Sequence, residues 1–176
     1  MDEKQLIASC LKGERLAQKK LYDQYSGKMM GVCLRYANDR ETAADLLQDG
    51  FVKVFTNLSS YTGAGSFEGW MRRVFVNCAL EYIRKNDVMK ESDDLDHAAE
   101  LIEYSASALE ELSAQELINV IQQLPSGFKA VFNLFAIEGY SHKEVSEILQ
   151  INESTSRSQY TRAKQMLQKK VNDLYK

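Results

Sequence analysis

The sequence is poor in the residues that interrupt helices or that build metal and disulfide sites. It contains one proline, Pro125, and two histidines, His97 and His142, among 176 residues. A single proline leaves long stretches free to be helical, and two distant histidines argue against a histidine-based zinc site. Three widely spaced cysteines without a CxxC pair predict buried free thiols in a reducing cytoplasm.

Long apolar runs are also missing. No run approaches the roughly 20 apolar residues of a membrane span, and the N-terminal stretch MDEKQLIASCLKGER is too polar for a signal peptide. We therefore expect a cytoplasmic protein that does not insert into a membrane. The N-terminal half shows no period-two alternation for a sheet, and the chain has no phosphate loop, metal cluster or nucleophile–base pair. We expect an all-α protein that is not an enzyme and that carries no metal or other cofactor.

The acidic residues are concentrated in one segment. The net charge is −3, but residues 87–115 hold nine acids and one base, a net of −8, which leaves −3 minus −8, or +5, for the rest. This segment has weak helical periodicity, which is typical of a flexible linker. The sequence thus predicts an N-terminal domain over 1–88, an acidic linker over 89–114 and a C-terminal domain over 115–176.

The N-terminal domain shows repeated amphipathic patterns. The spacing of apolar residues predicts helices over residues 1–20, 21–36, 40–58 and 67–85. In the last of them, the residues expected to face the core are Trp70, Val74, either Ala79 or Cys78, and Ile83. A loop rich in glycine and small polar residues, with Tyr61 inside it, separates the last two helices. Such a tyrosine either clasps a base or packs back on its own domain.

Residues 141–170 predict two helices joined by a short turn. Ser141 and Glu144 form a capping box that starts the first helix, and Asn152 is a suitable N-cap for the second. The second helix is basic, with six Lys or Arg and one acid from residue 154 to the end. A short helix, a tight turn and a basic helix are typical of a DNA-binding helix-turn-helix. The alternative is a helical hairpin with a solvated charged face.

Three sequence blocks together indicate a family. They are DLLQDGFVKVF (45–55), SFEGWMRRVFVNCALEYIR (66–84) and LPSGFKAVFNLFAIEGYSHKEVSEILQINESTSRSQYTRAK (124–164). In this order, around an acidic linker, they resemble the extracytoplasmic-function (ECF) sigma factors of bacterial RNA polymerase. The resemblance implies two helical domains, with the polymerase core and promoter DNA as partners and an anti-sigma protein as a common further one.

The resemblance also implies roles for particular residues. Those matching the family's surface for the polymerase core are Asp45, Gln48, Asp49 and Lys53. Those matching the pocket for a flipped base of the −10 element are Tyr61, Arg73 and Asn77. Those matching the face that reads the −35 element are Thr155, Arg157, Ser158, Thr161 and Arg162.

Some positions depart from the family pattern. Gln150 stands where glycine is usual in the turn, Ser156 where valine is usual, and Met71 where housekeeping relatives carry a second tryptophan. Two other functions are considered: an autonomous helix-turn-helix regulator with an N-terminal sensor, and a DNA-processing enzyme such as a recombinase. Neither the sheet of such a sensor nor the nucleophile or carboxylate cluster of such an enzyme is visible.

Overall fold

In a computed structural model, residues 2–87 and 113–175 are described. Within these ranges the secondary structure is helical and contains no strand, so the all-α prediction is confirmed. The chain divides into two compact units, Met1–Tyr82 and Ile83–Lys176. The predicted linker, residues 89–114, lies outside the described residues except for Ser113 and Ala114, which cap and begin a helix.

Four helices build the first unit. They are α1 (Glu3–Leu11), α2 (Arg15–Tyr36), α3 (Arg40–Asn57) and α4 (Phe67–Asp87), and a single 3₁₀ turn (Leu58–Ser60) follows α3. The last turn of α4, from Ile83 on, lies beyond the end of this unit. Aspartates start two of them, because an N-cap carboxylate satisfies an otherwise unpaired backbone N–H. The Asp2 carboxylate accepts from the Gln5 N–H at 2.8 Å, and the Asp39 carboxylate accepts from the Thr42 N–H at 2.7 Å.

The prediction of one helix over residues 1–20 is wrong. The chain turns at Gly13, whose φ of 78° lies in the left-handed region that glycine adopts without steric cost, and α2 starts two residues later. The turn lets α1 fold back along α2. The Tyr25 hydroxyl donates to a Glu3 carboxylate oxygen at 2.7 Å and holds the two helices together.

The buried face of α4 is rotated relative to the predicted one. Met71, Phe75 and Ala79 are buried, whereas Trp70 and Val74 are only half-buried. The Phe75 ring lies edge-on to Phe51 of α3, with centroids 5.2 Å apart. Burying this phenylalanine sets the rotation of the helix, so the prediction that Trp70 and Val74 face the core is wrong.

The second unit contains four helices and one π-helical segment. The helices are α5 (Ala114–Gln122), α6 (Ser126–Phe132), α7 (His142–Leu149) and α8 (Glu153–Leu174), and the π segment (Asn133–Ile137) extends α6. Apolar residues of α5 and its C-terminal end pack on one stripe of α8 and form the core. They are Val120, Ile121 and Leu124 on one side and Ala163, Leu167 and Val171 on the other.

The π segment changes how α6 ends. The Glu138 N–H donates to the Asn133 carbonyl at 2.8 Å, five residues back, which widens the last turn. The Asn133 side chain is fully buried and donates to the Lys129 carbonyl at 2.9 Å. Gly139, at φ 78°, then ends the helix.

The three cysteines are free and buried, as the sequence predicts. Burial raises the pKa of the Cys33 thiol to about 12. A thiol that stays protonated is a poor nucleophile and metal ligand. Cys10, Cys33 and Cys78 therefore act as small apolar residues of the first unit.

Candidate nucleic-acid interface

One side of α3 presents a polar surface away from the core. Asp45, Gln48 and Asp49 are exposed, and Lys53 is half-buried beside them. Val52 is 64% exposed in their midst. We call these five residues the α3 surface.

Lys53 is held in place by a neighbouring helix. Its ammonium group donates to a Glu81 carboxylate oxygen of α4 at 2.5 Å. This hydrogen bond raises the pKa of Lys53, so the side chain remains charged. Because both partners are partly exposed, the pair contributes little to stability. Its main effect is to orient the lysine at the edge of the α3 surface.

The Tyr61 ring is packed into an aromatic cluster. Its centroid lies 5.1 Å from Phe67 and 5.7 Å from Trp70. Its hydroxyl donates to the Gly65 carbonyl at 2.9 Å, which closes the loop onto itself. Tyr61 remains half-exposed, so the loop holds the ring in place without burying it.

One face of α4, which we call the α4 face, carries Trp70, Arg73 and Asn77. Their spacing of three and four residues follows the helical repeat. Arg73 and Asn77 are exposed, and Trp70 is half-exposed next to Tyr61. The structure thus brings Tyr61 to one end of the face that carries the other two predicted residues. Trp70 was assigned to the core from its apolar character, although its spacing from Arg73 and Asn77 places it on this face.

Helices α7 and α8 form the predicted helix-turn-helix. The Glu144 N–H donates to the Ser141 hydroxyl at 3.2 Å, and the Ser141 N–H donates to the Glu144 carboxylate at 2.8 Å, so the capping box is confirmed. Gln150 ends α7 at φ 56°, in the left-handed region. Asn152 occupies the N-cap position of α8, but its side chain makes no capping hydrogen bond.

The outward face of α8 carries the predicted reading residues. Arg157, Ser158, Thr161 and Arg162 are exposed, and Thr155 is half-buried. Arg157 pairs with Glu153 one turn earlier. Two hydroxyls bond within the helix: Ser158 donates to the Thr155 carbonyl at 3.1 Å and Thr161 to the Arg157 carbonyl at 3.0 Å. A hydroxyl bound this way still has lone pairs to accept hydrogen bonds.

The inward face of α8 carries one polar residue at its start. Ser156 is fully buried, and its hydroxyl lies 2.9 Å from Nδ1 of His142 in α7. The serine that looked misplaced in the sequence therefore has a partner, which a buried hydroxyl requires. The two residues lie 14 positions apart in the chain, so no local pattern pairs them, and only the turn brings them together.

Two family models match the chain. The model for Sigma-70 region 2 matches residues 21–88 and that for Sigma-70, region 4 matches residues 107–167. The first contains the α3 surface and the α4 face, and the second contains the helix-turn-helix. Among the described residues, no helix is long and apolar enough to cross a membrane.

Several characterised proteins are similar along nearly their whole length. The ECF RNA polymerase sigma-E factor of Haemophilus influenzae is 26% identical, with 99% of this chain and 97% of the relative covered. The RNA polymerase sigma-H factor of Pseudomonas aeruginosa is 27% identical, with coverage of 98% and 95%.

A solved structure shares the fold. It is the sigma factor RpoE of Bartonella quintana in complex with the anti-sigma factor NepR, at a TM-score of 0.52 and 18% identity, covering 86% of this chain and 94% of that one. Two sigma-70 regions in order and full-length similarity to sigma factors agree with the three sequence blocks. The chain belongs to the ECF group of RNA polymerase sigma factors.

Proposed function

We propose that the chain binds the RNA polymerase core and directs promoter-specific initiation, with its recognition surfaces divided between two domains, residues 1–88 and 115–176. One observation carries this proposal. The first unit presents the α3 surface and the α4 face, and the second unit presents an exposed basic helix, α8. An autonomous regulator would need neither an exposed surface like that of α3 nor the sigma-70 region 2 that contains it.

The α3 surface is the proposed contact with the polymerase core. Its carboxylates, Asp45 and Asp49, are exposed one helical turn apart, with Val52 beside them. A central apolar side chain with charged residues around it is typical of protein interfaces, because the apolar contact contributes affinity and the charges contribute orientation. Gln48 and Lys53 would complete the contact.

The α4 face is the proposed site for an unpaired base of the −10 element. Tyr61 offers a fixed aromatic ring, Asn77 can both donate and accept hydrogen bonds, and Arg73 offers a cation for the backbone. Removing a base from the stack costs a few kcal/mol, so the pocket must recover that free energy through stacking and base-edge hydrogen bonds.

Helix α8 is the proposed reader of the −35 element. Arg157 and Arg162 are exposed on either side of Ser158 and Thr161, and Thr155 lies at the edge of the same face. Arginine binds guanine edges and phosphates. Hydroxyl groups donate to phosphates and both donate to and accept from base edges. Binding DNA would require Arg157 to exchange its Glu153 partner for a base or phosphate.

The proposed role is that of a binding subunit with no chemistry of its own. The sigma-70 family consists of initiation factors, and catalysis of RNA synthesis belongs to the core enzyme. The chain would act in the cytoplasm, where the polymerase works. Sequestration by an anti-sigma protein is a further expectation of the family resemblance.

Reconstitution with a bacterial core polymerase tests the proposal. We expect the chain to co-purify with the core and to start transcripts at defined sites on DNA that it selects from a randomised library. Asp49→Lys should weaken core binding while leaving the circular dichroism spectrum unchanged. Asp23→Lys, which reverses an exposed acid of α2 outside the α3 surface, is the matched control. Equal binding by the two variants would exclude the α3 surface as the contact.

The reading helix is tested with arginine variants in the same system. Arg157→Ala and Arg162→Ala should each weaken binding to the selected −35 element by about 1–3 kcal/mol if they contact base edges. Lys169→Ala, an exposed cation further along α8, is the control. If the free chain selected the same DNA as tightly without the core, it would be an autonomous regulator instead.

A further inference from the structure

The two helices of the helix-turn-helix are joined near their starts by one polar contact. His142 is the first residue of α7, and its Nδ1 lies 2.9 Å from the hydroxyl of Ser156 in the first turn of α8. Ser156 has no exposed surface. A buried hydroxyl that loses its hydrogen-bond partner destabilises the folded state, so the folded protein keeps this contact.

The His142 ring is fixed from a second side by aromatic contacts. It lies parallel to the Phe135 ring, with centroids 4.0 Å apart and planes 10° apart, and Tyr160 of α8 approaches it edge-on at 5.8 Å. Phe135 belongs to the π segment. His142 therefore contacts three elements: the π segment behind it, its own helix, and α8.

The position of Ser156 means that this contact influences the residues proposed to read DNA. Ser156 directly precedes Arg157 and lies in the same helical turn as Thr155 and Ser158. Rotating or shifting the start of α8 by even an ångström would move all three outward side chains together. A shift of this size breaks hydrogen bonds to base edges, which need a narrow range of distances. It changes the attraction to phosphates much less.

We propose that His142 is a positioning residue for promoter reading, which through its stacking on Phe135 and its hydrogen bond to Ser156 holds the start of α8 at the angle that specific −35 recognition requires. This inference rests on the proposed function of α8. It assigns His142 no contact with DNA. It predicts a loss of discrimination between DNA sequences that exceeds the loss of general DNA affinity.

The contact also makes discrimination depend on pH. Burial and the nearby Arg157 cation both lower the pKa of His142, while Glu153 acts in the opposite direction. Tyr160 faces the ring from α8, and Glu144 lies in the first turn of α7. A protonated ring would place a second cation beside Arg157 at the positive end of the α7 dipole. The neutral ring is therefore the form that fits the contact.

The test measures the ratio of affinities of the reconstituted holoenzyme for two duplexes. One is selected from a random library by the wild-type chain on core polymerase, and the other is the same duplex with its upstream element shuffled. The variants are His142→Phe, which keeps an aromatic ring but loses the hydrogen bond, and Ser156→Val, which removes the hydroxyl. The double variant replaces both polar partners with apolar groups, an exchange that is often nearly neutral.

We expect each single variant to lower the affinity ratio by about tenfold and to change the affinity for shuffled DNA by less than about twofold. The double variant should recover most of the ratio. For the wild type, the ratio should fall as the pH drops below about 6.5, the ordinary imidazole pKa, because the lowered pKa of His142 delays protonation of the ring to more acidic pH. The double variant, lacking this imidazole, should show a flat profile.

Three results would overturn the inference. The single variants could lower the melting temperature and leave the ratio unchanged, which would make the contact merely structural. The double variant could be worse than either single one, which would mean that the two residues act independently. The wild-type affinity ratio could stay constant with pH, which would show that protonation of His142 does not affect discrimination. If the wild-type chain selected no sequence at all, the proposed function itself would fail.

Discussion

At the scale of single residues, Gly50 marks a close contact between α3 and α4. A Cβ at this position would lie 2.1 Å from Cε1 of Phe75, well inside van der Waals contact. Gly50→Ala should therefore lower the free energy of unfolding of the first unit by about 1–3 kcal/mol, the usual cost of overpacking. Urea unfolding followed by circular dichroism would measure it.

Gly27 supplies the matched control for that prediction. It lies within α2, and a Cβ added there would meet nothing within 4 Å. Gly27→Ala should raise the free energy of unfolding by about 0.5–1 kcal/mol, because alanine is the better helix former. A Gly50→Ala variant as stable as this control would show that Phe75 can move aside without cost.

Gln150 is the one described non-glycine residue with positive φ. A left-handed conformation costs a residue with a Cβ roughly 1–2 kcal/mol, a cost that glycine avoids. Gln150→Gly should therefore raise the melting temperature of the second unit, although glycine's flexibility in the unfolded chain offsets part of the gain. Gln168→Gly, in the middle of α8, should lower it. A Gln150→Gly variant that melts at a lower temperature than the wild type would show that the left-handed backbone at Gln150 is not strained.

At the scale of elements, two capping boxes start helices of the second unit. Hydrogen bonds from Ser113 and Ser141 lower the pKa of Glu116 and Glu144 below the ordinary value of 4.5. For a carboxylate with a lowered pKa, the folded state binds fewer protons than the unfolded state. This stabilisation is therefore complete above about pH 4.5 and is lost as the pH falls through the folded-state pKa.

Removing the two carboxylates should abolish that pH dependence. We expect Glu116→Gln with Glu144→Gln to lower the melting temperature at about pH 7, where the carboxylates are charged, more than at about pH 3, where they are not. Glu147→Gln, at an exposed acid of α7 outside the caps, is the control. An equal loss at both pH values would mean that the carboxylates do not take part in the caps.

The loop and face around α4 are tested by promoter opening. Tyr61→Ala and Asn77→Ala should leave formation of the closed complex intact and reduce opening, because the pocket would recover less of the cost of unstacking a base. Permanganate reactivity of thymines near the start site reports opening. A template with a pre-melted bubble should rescue both variants, and normal opening on duplex DNA would exclude the pocket.

Much of the helical architecture could be predicted from the sequence. The Ser141 capping box and the Gly139 helix end follow from local chemistry, since each needs only residues within one turn. The polar α3 surface follows from periodicity. The break at Gly13 was missed because a glycine within a polar stretch interrupts no apolar pattern that could reveal it.

Other features depend on tertiary contacts that no local pattern encodes. The rotation of α4 is decided by Phe75 packing against Gly50, a residue in another helix. The same rotation brings Trp70 to the surface beside Tyr61. The pairing of Ser156 with His142 and the π segment that brings Phe135 to that ring likewise arise only once α6 to α8 are assembled.

At the scale of the whole molecule, charge is divided along the chain. Residues 87–115 carry −8 and the remainder carries +5. A net acidic chain gains no long-range attraction to DNA. Two weak reading surfaces on a tether gain avidity only when their spacing matches the two DNA elements. We therefore expect the free chain to bind promoter DNA at least about tenfold more weakly than holoenzyme does.

Fluorescence anisotropy at one fixed salt concentration would compare the two forms, because salt alone changes DNA affinity strongly. Replacing the acids of residues 89–114 with their amides should strengthen the binding of the free chain and narrow the gap. The control replaces Glu14, Asp23 and Glu41, three exposed acids of the first unit, and is compared with the replacement of three acids within residues 89–114. If neutralising either set had the same effect, net charge and not its location would explain the weak binding.

Trp70 is the single tryptophan of the chain, and it lies half-exposed against Tyr61 and Phe67. All indole emission of the free protein therefore originates beside the proposed base pocket. A nucleobase stacked in that pocket would quench the emission, and a polar solvent shell would shift it to the red. With 5-hydroxytryptophan at this one position, the signal could be excited selectively in the presence of the polymerase's own tryptophans. The protein thus contains a spectroscopic probe that would follow the capture of a base in real time.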